Sequence, residues 1–268
     1  MSDFTLSLLT LSHKFESLAA LVALCSARLM VLMMVFPPTG DTVLQGAVRT
    51  ALSLLWGCVV AYGQQGIFVE QSALMQVAIG LKEAVIGLVL GFSASTVFWA
   101  AQSIGGYVDD LSGYNSVQLN DPVHGQETSL TSTLLSLFAI GAFWTLGGMT
   151  FLLGALYDSY RWWPLGDMLP VGDRILESFV LQKTDSLIET IAKLAAPMTV
   201  LLLLVDIGFG FTGKASQKID LQSMSQPVKG ALTVLMLALL ASVFVDQARD
   251  QLSLAGFARE IHAFASGK

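Results

Sequence analysis

Six apolar segments divide this chain, at about Leu18 to Phe36, Leu44 to Tyr62, Leu74 to Ile104, Leu130 to Tyr157, Leu187 to Phe211 and Val228 to Val245. Each approaches or exceeds the roughly 17 to 25 residues that a helix needs to cross a bilayer. In hydrocarbon every backbone N–H and C=O has to be bonded within the chain, which commits such runs to helices. Of 268 residues 54% are hydrophobic and only 13% charged, against roughly 25% charged in a soluble domain. The expected fold is all-α, a multi-helix integral membrane protein built of helical hairpins and embedded in a lipid bilayer.

The segments are cleanly separated. Pro37-Pro38-Thr39-Gly40-Asp41 predicts a tight turn that pairs the first two helices, and Trp162-Trp163-Pro164 with Pro170 and Gly172 ends the fourth. Pro197 is expected to kink the fifth helix near its start, and Gly208, Gly210 and Gly213 to loosen its end. Two amphipathic pieces remain, Gly172 to Lys193 and a tail with Leu254, Phe257, Ile261 and Phe264 opposite Arg259 and Glu260. Ser2-Asp3 is not a basic leader, and Leu24 stands before Cys25 where a lipoprotein signal requires a small residue, so the first segment reads as a retained membrane helix.

Charge excludes several classes. A formal net charge of -6 with no Lys/Arg patch argues against nucleic acid as a partner. Cys25 and Cys58 both fall in apolar runs and read as small buried hydrophobes. His13, His124 and His262 lie at ends or in loops, without metal-ligand spacing. An intramembrane serine protease would need a helix-borne histidine, and an aspartyl type a GxGD pattern that Pro164 breaks ahead of Gly166-Asp167. No catalytic residue, metal or cofactor is expected, and the chain does not read as an enzyme.

Among the charges within apolar runs, Arg28, Arg49, Glu83 and Asp206 are read as intramembrane. Arg28 and Arg49 flank Pro37-Pro38 at similar depth, roughly 14 to 17 Å from the hairpin tip at about 1.5 Å per residue. Facing lipid, each would cost about 2.5 to 3.5 kcal/mol at a helix centre, so they should pair or snorkel, and Glu83 and Asp206 are available partners. Gly80, Ala84, Gly87 and Gly91 form a small-residue stripe on the third helix, with Gly87 and Gly91 in GxxxG spacing, which suits close helix packing. Gly141 and Gly148 offer a second pair. Lys214, Lys218 and Lys229 stand against Asp220 alone, whereas Gly105 to Ser129 holds Asp109, Asp110, Asp121 and Glu127 with no Lys or Arg. On the positive-inside rule the Lys-bearing loop is cytoplasmic and the acidic strip is external or enclosed in protein.

Glu83, Gly87 and Gly91, then Gly105-Gly106, Asp109, Gly113, Asp121-Pro122 and Gly125, then Pro164-Leu165-Gly166, Ala196-Pro197 and Leu201 to Leu204, together resemble the T subunit of the bacterial type III secretion export apparatus. The flagellar counterpart is the R component of the flagellar export gate. The resemblance covers nearly the whole chain and is strongest over Lys82 to Thr128. It implies a single-copy, multi-pass subunit of the bacterial inner membrane, built with R and S subunits into a helical gate that admits unfolded proteins. The switch (U) subunit and the large export-gate (V) subunit are further implied partners, the former at the loop of Lys214, Lys218 and Lys229. Residues 1–165 would be R-like and 166–268 an S-like hairpin region with the amphipathic tail.

The resemblance also implies that a non-helical stretch over about 105–122, with Gly105, Gly106, Asp109, Asp110, Gly113, Asp121 and Pro122, is a plug in the channel. Glycines there would permit close approach, and the aspartates would add negative potential. Injectisome members often carry Asp-Asn-Gln-Arg-Gly where this chain has Asp109-Asp110-Leu111-Ser112-Gly113, without a basic residue. Gln126-Glu127-Thr128-Ser129 is more similar to the injectisome side than to the flagellar side. The alternatives are a flagellar gate subunit, a structural assembly factor, and a stand-alone secondary transporter, which should show an inverted repeat that this sequence lacks.

Overall fold

The absence of Pro and Gly before Pro37 lets the first helix begin well ahead of its apolar core. In the computed structural model, which describes residues 2–41, 43–64, 72–112, 118–120, 127–166, 173–215, 225 and 227–235, α1 spans Ser2–Val35. His13, near the N-terminal end, lies on this helix and is exposed. Pro37–Thr39 form a single 3-10 turn, and α2 follows at Gly46–Gln64, so the hairpin expected from Pro37-Pro38 is present. The Thr39 hydroxyl donates to Met33 O at 2.9 Å and Phe36 O at 3.1 Å, tying the turn back onto α1.

α3 spans Ala73–Ser112. It overruns the expected end at Ile104 by two turns, so Gly105, Gly106, Asp109 and Asp110 are helical. The non-helical reading of 105–122 is thus corrected for 105–112, for reasons that lie in other parts of the chain and are given below. Two short strands, β1 (Gln118–Asn120) and β2 (Glu127–Ser129), pair antiparallel with Leu119 opposite Thr128. This ribbon is the exception to an otherwise all-helical fold among the described residues.

The fourth apolar run is not one helix. It breaks into α4 (Leu130–Thr145) and α5 (Gly148–Trp162), which are bent by 73°. Gly147 supplies the break with φ 74°, a left-handed conformation that glycine adopts without a Cβ penalty. α5 ends at Trp162, as Trp162-Trp163-Pro164 predicts. The amphipathic piece and the fifth apolar run fuse into one helix, α6 (Asp173–Ala215), so Pro197 sits in the helix interior and not near its start. A last helical stretch, α7, covers 227–235; most of the sixth apolar run and the C-terminal tail lie outside the described residues. Among the described residues four helices are long and apolar enough to cross a membrane, or five if α4 and α5 count as one span.

The chain forms two compact units. One comprises 1–94, 152–178 and 257–268, the other 95–151 and 179–256. In the first, Leu21, Cys25, Leu29, Leu32 and Met33 of α1 and Ile79, Ile86 and Leu90 of α3 are buried. Small residues set the helix spacing there. A Cβ on Gly87 would overlap the Arg28 backbone carbonyl, and one on Gly57 would come 2.8 Å from Ser26 Cβ. The Gly80 to Gly91 stripe therefore serves packing of α3 on α1 within this chain. Cys58, expected to be buried, is exposed on α2, while Cys25 is buried; both are free thiols. In the second unit Ile104 and Val108 of α3 pack with Met198 and Leu202 of α6.

Candidate functional site

Arg28 reaches its partners because Gly87 lets α3 lie against α1. Its Nε donates to Glu83 Oε2 at 2.7 Å and its Nη2 to Glu83 Oε1 at 3.0 Å, with both side chains fully buried. Its Nη1 donates to Ser159 Oγ at 2.7 Å and its Nη2 also to Trp163 O at 3.0 Å. The guanidinium carbon lies 3.8 Å from the centre of the Tyr160 ring, a cation–π contact, and the Tyr160 hydroxyl donates to Cys25 O at 2.7 Å.

Lys82 adds a second cation. Its Nζ lies 3.0 Å from Glu83 Oε1 and donates to Pro164 O at 2.9 Å and Leu165 O at 3.1 Å. Glu83 thus faces two cations, which also donate to carbonyls at and just beyond the C-terminus of α5, where the helix dipole is negative. The cluster is a three-element junction closed by charge-assisted hydrogen bonds. Arg49, also buried, pairs with Asp41 in the turn and donates to Met33 O at 3.4 Å. Of the partners available in the sequence, Glu83 takes Arg28, whereas Asp206 takes neither arginine. Ser159, Tyr160 and the carbonyls of 163–165 belong to the cluster too, although Trp162-Trp163-Pro164 signals only a helix end.

In the second unit, Asp109 is fully buried. Its carboxylate accepts the Thr131 backbone N–H at 2.7 Å and the Thr131 hydroxyl. Ser129, at the N-cap of α4, makes no side-chain cap, so Asp109 caps α4 from α3 and places its charge at the positive end of that helix. Ser132 Oγ donates to Gln102 O at 2.8 Å. A Cβ on Gly105 would overlap the Ser132 backbone, whereas one on Gly106 would lie 3.9 Å from Ser129 Oγ. Gly105 is accordingly a close-packing glycine, and Asp110 is exposed.

Lys229 is buried on α7, donates to Leu111 O at 3.1 Å, and lies 2.5 Å from Asp206 Oδ1. Lys229, expected in the cytoplasmic loop between the last two helices, thus lies on a helix. Lys229 thereby caps the helix that carries Asp109 and Asp110. Gly113, Asp121, Pro122 and Lys218 lie outside the described residues, as does the Lys214 side chain. Among the described residues no His, Cys, Asp and Glu groups could hold a metal ion.

Among the described residues the buried charges are held by close partners, and the first turn of α4 and the last turn of α3 are capped from other helices. The sequence pattern of the family described as Bacterial export proteins, family 1, matches residues 19–255. The chain belongs to that family. This bacterial export protein is similar to the Yop proteins translocation protein T of Yersinia pestis, 29% identical over 215 residues, which cover 80% of this chain and 81% of the relative. It is similar to the surface presentation of antigens protein SpaR of Salmonella typhimurium at 26% over 237 residues, 87% of each chain. The flagellar biosynthetic protein FliR of Bacillus subtilis matches at 24% over 177 residues, 66% of this chain and 68% of the relative. The secretion relatives are thus slightly nearer than the flagellar ones. Membership makes the protein a non-enzymatic component of bacterial export, a multi-pass protein of the inner membrane.

Proposed function

We propose that this export protein is the T-type subunit of a type III secretion gate. It forms with R and S subunits the inner-membrane channel for unfolded secreted proteins, and the switch and large export-gate subunits are its neighbours. The observation that carries this reading is the family match across residues 19–255 together with secretion relatives aligned over four-fifths of the chain. In this reading residues 1–165 act as the R-like part and 166–268 as the S-like part. The plug is the stretch over about 105–122, of which residues up to Ser112 are helical and 118–120 form β1. The helical turns carrying Gly105, Gly106, Asp109 and Asp110 form its root. Buried pairing of Arg28 and Glu83 supports a densely packed subunit, since neither charge is left to face lipid.

Purification of the tagged chain in mild detergent tests the assignment. A gate subunit brings R and S partners with it, and a chain that runs alone or as a homo-oligomer overturns the reading. Within an assembled complex, deletion of 113–117 should leave assembly intact and make the resting gate leak ions; unchanged conductance overturns the plug. Crosslinkers at Ser216 or Gln222, beside Lys214 and Lys218, should capture the switch subunit, and repeated failure to do so removes that contact.

A further inference from the structure

We propose that α4 has two N-caps that exchange: Asp109 of α3 holds the helix start while α3 and α4 are packed, and Ser129 takes it over when they part. The α3–α4 joint carries this device whatever the role of the chain in export. Serine is among the best N-cap residues, because its oxygen accepts the N–H of the second or third helical residue. Ser129 stands at that position of α4 with φ −67° and ψ 152°, the extended backbone that a cap requires. Yet its hydroxyl makes no cap and is buried without a hydrogen-bond partner. The place is taken: the Thr131 N–H, second in the helix, goes to Asp109 Oδ2 at 2.7 Å, and the Thr131 hydroxyl to Oδ1.

Packing of α3 accounts for both observations. A carboxylate is the stronger acceptor at the positive end of a helix. A Cβ on Gly106 would stand 3.9 Å from Ser129 Oγ, so the α3 turn at Gly106 lies over the idle hydroxyl. The joint thus gains a charged cap and gives up a local one, and the unsatisfied buried hydroxyl counts against it. When α3 parts from α4, Ser129 needs only a rotation about its Cα–Cβ bond to cap the helix, since its backbone is already in place. α4 keeps a capped first turn in both arrangements, and opening the joint costs less than the bonds of Asp109 suggest. The Ser132 Oγ to Gln102 O hydrogen bond and the Gly105 contact have no such replacement, and they hold the joint closed.

Hydrogen exchange of peptides covering 130–133 in the full chain, within the complex in which it purifies, tests the exchange of caps through a double-mutant cycle. Ser129→Ala alone should leave exchange unchanged, because the hydroxyl is idle in the packed state. Asp109→Ala should speed exchange, and adding Ser129→Ala to it should speed exchange by roughly a further fivefold, the usual worth of one serine cap. Ser129→Thr in the Asp109→Ala background keeps a capping hydroxyl and should avoid that further rise. Asp109→Asn weakens the cap from α3 without removing it, and Ser129→Ala in that background should raise exchange by a smaller factor. The cycle therefore still reads out where Asp109→Ala does not accumulate. Equal effects of Ser129→Ala with and without the Asp109 carboxylate overturn the proposal, as does no effect in any background.

Discussion

Arg28 and Glu83 meet side-on in a two-bond ion pair, Nε to Oε2 at 2.7 Å and Nη2 to Oε1 at 3.0 Å, with neither side chain exposed. Desolvating two charges is costly, and the pair persists because nearly every donor is used: Ser159 Oγ and Trp163 O complete the arginine, and Lys82 shares the carboxylate. Such a pair is a stringent joint more than a source of net stability. It fixes α1, α3 and the end of α5 in one arrangement.

Removing one partner should therefore do more harm than removing both. Glu83→Ala leaves Arg28 buried without the carboxylate it pairs with and should cost about 3–5 kcal/mol. Arg28→Lys loses the two-pronged geometry and the Tyr160 stacking, and should be clearly destabilising despite keeping the charge. The double change Arg28→Met with Glu83→Leu should recover much of the loss. Thermal unfolding in detergent, with the amount of chain in the membrane as a second readout, checks the ordering; a double variant no better than Glu83→Ala refutes it.

Gly105 and Gly106 are adjacent and should respond in opposite ways to alanine. At Gly105 the new methyl meets the Ser132 backbone, which cannot swing aside, and overpacking of this kind costs about 1–3 kcal/mol. At Gly106 the nearest atom is a serine hydroxyl 3.9 Å away, and the gain in helix propensity should stabilise by up to about 1 kcal/mol. Melting temperatures of the two variants, compared in the same detergent, decide this. Equal effects would mean that both glycines serve flexibility and neither serves contact.

That pair also marks the limit of what is legible in the sequence. The α1–α2 hairpin follows from Pro37-Pro38 and the end of α5 from Pro164, because proline acts locally. The small-residue stripe is a local pattern too, with Gly87 and Gly91 set against the α1 backbone, and Glu83 stands among the partners available to Arg28. The end of α3 is different: every local signal from Gly105 to Asp110 favours an earlier stop, and the helix continues on contacts with Thr131 and Lys229, 22 and 118 residues away from Asp109 and Leu111. Ser159 and Trp163 join Arg28 from 131 and 135 residues away. No spacing rule reaches that far. The polar β1–β2 ribbon has too little apolar alternation to announce itself as strand.

Asp109 should matter for α4 as much as for α3. Asp109→Ala strips the cap from the Thr131 N–H and leaves buried donors unmet, at a cost of about 1–2 kcal/mol. Asp109→Asn retains an acceptor but loses the charge at the helix N-terminus and should cost less. Hydrogen exchange across 130–135 reports the effect directly. If the first turn of α4 keeps full protection in Asp109→Ala, the cap does not come from Asp109.

The α4–α5 break turns on a single residue. Gly147 has φ 74° and open space around its Cα, so the penalty for a side chain there is conformational and not steric crowding. Holding an L-residue in the left-handed region costs roughly 1–2 kcal/mol, and asparagine tolerates it better than alanine. Gly147→Ala should therefore destabilise by about that amount and Gly147→Asn by less. Gly154→Ala, inside α5 where a Cβ also meets nothing within 4 Å, should stabilise by up to about 1 kcal/mol through helix propensity alone. Both sites are uncrowded, so alanine at 147 and at 154 differ in backbone conformation, and asparagine at 147 tests tolerance of the left-handed region. The order Asn above Ala at 147, with Ala favourable at 154, isolates the left-handed φ as the reason the fourth apolar run breaks; a Gly147→Ala variant as stable as the parent would mean that the run can straighten, and that the bend is imposed by packing elsewhere.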